Sequence, residues 1–248
     1  MPAPPRPQRL NLKQFADRFR SDMIPLGSRF CYFAAALSLS AEDIREYLEE
    51  PVAALPPAIA AQLPPVRILL VPYLADPANP AVFMEKPDGG PSLSASVQLI
   101  GPDALLAFAI KETEVADYHY RFYHAIAELV AGPAPGKVPA GYVNLLRQEF
   151  GVQAHGEVDE ASWTLKNALG DNEKGKRMTR PFREYARASY IDTLTLYLHG
   201  ICCDIDVEPG PRQIPSYLLR RRLRLLRELF PPPKGYAVLP EDSPETTA

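Results

Sequence analysis

The segment KETEVADYHYRFYHAIAELVAG, ending at Gly132, gathers two of the chain's four histidines with four acidic residues. Imidazoles and carboxylates can share protons or hold a cation, so their spacing decides which chemistry is open. A helix turns about 100° per residue. His119 and His124 then point about 140° apart, which keeps both from reaching one metal on a regular helix. Glu114, Asp117, Arg121, His124 and Glu128 follow spacings of three and four. Within that stripe Asp117–Arg121 and His124–Glu128 are i,i+4 pairs of the kind found on solvated faces. Glu112 and His119 fall on the apolar side, where the pattern predicts a buried polar pair with the carboxylate orienting the ring.

A second cluster, HGICCDIDVE from His199, brings one imidazole, two thiols and three acids together at the end of a helical stretch. Thiolate and imidazole are good zinc ligands, so His199 and Cys202 are candidate metal ligands and zinc is the implied cofactor. Residues three or four apart on a helix can touch, which also allows a thiol–imidazole pair. The competing expectation is a Cys202 packed at the helix end as a small hydrophobe. No glycine loop has the spacing of a phosphate-binding P-loop.

YLLRRRLRLLRELF is the third feature. Leu219, Leu223, Leu226 and Phe230 form an apolar stripe flanked by Arg220, Arg221, Arg224 and Arg227. Arg222 lies against the apolar seam, placed to snorkel out of it. The four flanking arginines predict a surface for an acidic protein partner or a phosphate-bearing ligand. Aromatics able to stack on bases are few here, Tyr217 and Phe230, which ranks nucleic acid behind protein.

The helix containing YHAIAELVAG also follows a strand-rich segment and precedes the acidic opening of GEVDEASWTLKNAL. This layout, over about residues 60–170, resembles the ImmA/IrrE-type zincin metallopeptidases. That family carries H-E-x-x-H, two zinc-binding histidines one turn apart with a glutamate as general base. Here the matching positions hold His124, Ala125 and Glu128, with Glu157 or Glu160 where the family supplies its third ligand. The resemblance implies zinc held by His124, Glu128 and either Glu157 or Glu160. With Ala125 at the position of the base, it implies an eroded peptidase kept for binding.

These residues need elements to position them. At 248 residues the chain can bury a sizeable core, and its 28 prolines fall in clusters that punctuate helices. A net charge of −3 gives no global pull toward nucleic acid or anionic membrane. Three cysteines make no disulfide framework, MPAPPRPQ carries no apolar signal region, and no run reaches membrane-spanning length. A soluble cytoplasmic protein is the expectation.

Helices are predicted from Asn11, from Ser40 to Pro51, from Pro102 to Ala131, and over 139–150, 157–169, 181–203 and 215–230. Strands are predicted at VRILLVPYL, AVFMEK and SLSASVQL, the last with Leu93, Ala95, Val97 and Leu99 on one face. The order specifies an α+β fold, predominantly helical, with one small antiparallel or mixed sheet at about residues 66–99. It forms a single globular domain over 10–240, between disordered tails at 1–9 and 241–248. The function expected is that of a non-catalytic interaction or regulatory protein acting through helical surfaces. The alternative is a metal-binding protein or enzyme, most specifically a degenerate zincin-like peptidase domain.

Overall fold

A computed structural model describes residues 10–87, 92–111, 113–133, 137–170, 178–203 and 214–237. The two tails, Glu112 and the acids after Cys203 lie outside the described residues. The chain is α+β with helix dominant. It divides into two compact units: residues up to Glu49 with Leu63–Arg121, and Glu50–Gln62 with residues from Phe122 onward.

The first unit is built on a five-stranded sheet in the order β1-β2-β3-β8-β7. Its centre is β3 (Val66–Val71), VRILLV, buried at every position. On either side β2 (Phe30–Ala34) and β8 (Asp103–Ala109) run parallel to it, with Ile68 opposite Tyr32 and Leu106. Strands covered on both faces read as continuous apolar runs instead of alternating ones, which suits VRILLV and DALLAFA. β1 (Ile24–Pro25) and β7 (Ala95–Ile100) close the edges antiparallel. A three-stranded antiparallel sheet follows from β4 (Tyr73–Ala75), β5 (Ala81–Phe83) and β6 (Ser92–Leu93), in the order β5-β4-β6.

α1 (Leu12–Arg18) is started by a reciprocal cap, Asn11 accepting from the Gln14 amide while Gln14 accepts from that of Asn11. It lays Leu12, Phe15 and Ala16 onto Leu69, Val71, Leu105 and Ala107. Ser40 and Asp43 form the same box ahead of α2 (Ala41–Ile44), which widens into a π-helical turn at Arg45–Glu49.

Three expectations are corrected. The sheet structure spans residues 24–109, well beyond 66–99. Residues 103–109 are strand, and the helix expected from Pro102 starts at Val115. Between β7 and β8, Ile100 pairs with Asp103 around Gly101, whose φ of 61° supplies the left-handed corner of a two-residue hairpin turn. β7 also buries no clean face, and its Leu99 is 57% exposed.

The second unit is helical. α3 (Glu50–Ala53) continues past Pro51, where the predicted helix ends, and α4 (Pro57–Gln62) follows. α5 (Val115–Ala131) enters the unit from Phe122 onward. α6 (Ala140–Gly151), α7 (Glu160–Asn167), α8 (Arg180–Cys202) and α9 (Ser216–Leu229) complete it, close to the predicted bounds. Asp159 caps α7 through the Ala161 amide at 2.8 Å, and Thr179 caps α8, whose first turn accepts Pro181.

Candidate functional site

The arginine helix is positioned by the one arginine that does not face water. Arg222 projects from the buried side of α9 into the space between α6, α8 and the segment leading to α7. Its Nε and Nη2 donate to Glu149 at 3.0 and 2.5 Å. Nη1 and Nη2 donate to Glu157 at 2.7 and 2.9 Å, and Nη1 also donates to the Ser189 hydroxyl at 2.9 Å. All five guanidinium protons thereby find acceptors, the condition under which a buried charge is tolerated.

Glu157 takes more than the arginine. Tyr185 donates its hydroxyl proton to the same carboxylate, and Lys166 Nζ lies 3.5 Å away while donating to the Gly156 carbonyl at 2.7 Å. Two cations therefore face two carboxylates. Burial pushes the Glu157 carboxyl up, but hydrogen bonds and charge from Arg222, then Lys166, outweigh it and hold it below the usual range. For Lys166 burial wins over the pull of Glu157, and its ammonium sits below the ordinary lysine value. Tyr142 lies over the guanidinium and donates to the Ser189 carbonyl at 2.9 Å; burial pushes its hydroxyl up to about 12.

One neighbour is less well served. Asp192 on α8 is 6% exposed, and its Oδ2 has no hydrogen-bond partner among the described residues. Burial, with some help from Asp159 and Glu157 and against a hydrogen bond from Ser162, raises its carboxyl to about 7. That value leaves it partly protonated near neutrality.

Locking Arg222 inward fixes the rotation of α9. At about 100° per residue, Arg220, Arg224 and Arg227 lie roughly opposite Arg222, and Arg221 lies to one side. All four are exposed. Arg222 itself does not snorkel, because Glu149 and Glu157 give it partners inside. Beside α9 runs a shallow groove of about 270 Å³ against α6. Leu145 and Leu225 give it apolar surface, while Arg221, Arg224, Asn144 and Gln148 give it polar groups. Arg221 Nη2 donates to Gln148 across it at 2.8 Å.

Of the other predicted residues, His119, His124 and Glu128 sit on α5, and His199 and Cys202 on α8. His119 is buried at the start of α5, where Nε2 lies 2.7 Å from the Glu46 carbonyl of the π turn, so the ring donates there. Its proposed partner Glu112 is outside the described residues. His124 and Glu128 are half-buried on α5, with His124 Nδ1 3.4 Å from the Thr195 hydroxyl of α8. The two oxygens of Glu157 serve Arg222, Tyr185 and Lys166. His199 packs its ring against Tyr123 with centroids 6.0 Å apart, and Cys202 and Cys203 are half-buried thiols at the end of α8.

Glu149, Lys166, Ser189 and Asp192 were not singled out by sequence. A signal existed for Glu149, which follows Leu145 and Leu146 on the inward side of α6. A charge at an apolar position of a periodic helix announces a buried partner. No family model matches this chain, and no curated protein or solved structure matches it. Among the described residues no helix is long and apolar enough to cross a membrane.

Proposed function

We propose that this is a non-catalytic interaction or regulatory protein that presents α9 to an acidic protein partner. The observation that carries the reading is the division of labour among the arginines of that helix. Arg222 is spent on internal carboxylates, while Arg220, Arg221, Arg224 and Arg227 stay exposed on one outer arc. Arginine forks recognise carboxylates two bonds at a time, so such an arc favours Asp- or Glu-rich surfaces. The neighbouring groove adds Leu145 and Leu225, which suit an amphipathic acidic segment over a purely charged one.

A zincin-like peptidase has thinner support. Ala125 stands at the position of the general base, and Glu157 is consumed by an internal ion pair. The experiment compares immobilised peptides of alternating Glu and Leu with peptides of alternating Lys and Leu. The acidic probe should retain the protein, and Arg220→Glu, Arg221→Glu and Arg224→Glu together should weaken retention at least tenfold without moving the thermal transition. Equal retention by the basic probe, or undiminished binding by the triple variant, removes α9 from the reading.

A further inference from the structure

We propose that Cys202 and Cys203 form a bidentate thiolate site for a zinc-class divalent cation, a property separate from the partner surface on α9. The two sulfurs lie within 4.8 Å of each other. Two zinc–sulfur bonds of about 2.3 Å at a tetrahedral angle set their sulfurs about 3.8 Å apart, inside that limit. Adjacent cysteines on a continuous helix would diverge by about 100°. Here the helix ends between them. Cys202 is the last residue of α8, and Cys203 is extended with φ −128° and ψ 145°, its amide donating back to the His199 carbonyl at 2.8 Å. The change of backbone direction is what lets both side chains turn to the same place.

The surroundings hold these thiols in order. Tyr123 donates its hydroxyl proton to the Pro51 carbonyl at 3.2 Å, and the same hydroxyl is in hydrogen-bond contact with the Cys202 sulfur. The Cys203 sulfhydryl in turn hydrogen bonds to the Cys202 sulfur. A partner that fixes a ligand's orientation is a usual feature of metal sites. The thiol–thiol hydrogen bond, then burial, pushes Cys203 well above the ordinary thiol range. A cation takes such a pair as thiolates, displacing the thiol protons as it binds.

Binding breaks two S–H bonds, forms two sulfur–metal bonds and releases two protons to solvent, with no change of oxidation state. The remaining coordination positions are open to water or further donors, as a four-coordinate ion requires. Thiolate chemistry selects zinc-class ions over magnesium or calcium, which prefer oxygen.

The test uses the full chain, reduced and stripped of metal, titrated with Cd²⁺ as a spectroscopic stand-in for Zn²⁺. A stoichiometric thiolate-to-cadmium charge-transfer band should appear and be displaced by Zn²⁺. C202S and C203S should each weaken cadmium binding at least tenfold, and C31S should not. Should the variants misfold, the wild-type chain still decides: Zn²⁺ should protect Cys202 and Cys203, but not Cys31, from iodoacetamide as read by peptide mass spectrometry. Absence of the band, its survival in the C202S/C203S double variant, or equal alkylation with and without Zn²⁺ overturns the proposal.

Discussion

Arg222 and Glu157 face each other across two hydrogen bonds of 2.7 and 2.9 Å, with both side chains wholly removed from solvent. Glu149 completes the guanidinium from the other side. The attraction within such a cluster offsets a large desolvation cost, so its members depend on one another more than on the surrounding packing.

Arg222→Met should therefore destabilise the protein by about 3–5 kcal/mol, because it leaves buried carboxylates without their cation. Arg222→Met with Glu149→Met should recover part of that loss, since Glu157 then retains Lys166. Urea unfolding of the three proteins measures both. A double variant no more stable than the single one contradicts the account.

Glu157 also sets a pH dependence on the acid side. Its folded carboxyl lies below the ordinary value, so its stabilising contribution is complete above the unfolded carboxylate's value of about 4.3. The contribution is lost as pH falls through the depressed folded value. Glu157→Gln should be less stable than the parent at pH 7, and the difference should shrink toward pH 2. A constant difference across that range assigns the effect to something other than ionisation.

Asp192 works in the opposite sense. Its folded carboxyl is raised to about 7, so the folded chain holds that proton more tightly than the unfolded chain. This stabilisation is present below about pH 4 and declines as pH rises through 7. Asp192→Asn should remove the slope and stabilise the protein at pH 8, by up to about 4 kcal/mol. Unfolding free energies at pH 5 and pH 8 decide it; an unchanged slope in the variant exonerates Asp192.

In the sheet unit the equivalent test is a cavity. Ile68 is fully buried in β3 between Tyr32 and Leu106. Ile68→Ala should cost about 2–5 kcal/mol, read from the denaturation midpoint. A loss below 1 kcal/mol would mean the central strand is not a tightly packed element.

The helices from α6 to α9 were legible because apolar periodicity, caps and prolines agree over each of them. β3 was legible as a short apolar run bounded by prolines. The same physics hid β8. DALLAFA is equally apolar, and periodicity alone does not separate a buried strand from a buried helix segment. The decisive clue was Gly101-Pro102, a two-residue turn between two apolar runs, which reads as a hairpin as readily as a helix start. On α9 the four outer arginines were legible from their flanking positions. The inward role of Arg222 was not, because its partners Glu149 and Glu157 lie 73 and 65 positions away.

That separation has a consequence for the order in which the chain is made. Both carboxylates leave the ribosome long before the guanidinium that neutralises them, and Lys166 is the cluster's other cation in the interval. The cluster is therefore completed only when α9 has been made. A nascent chain stalled before Ser216 should stay open to protease around α6 and α7, and release through α9 should close it; protection already complete at the stall would show that closure does not wait for Arg222.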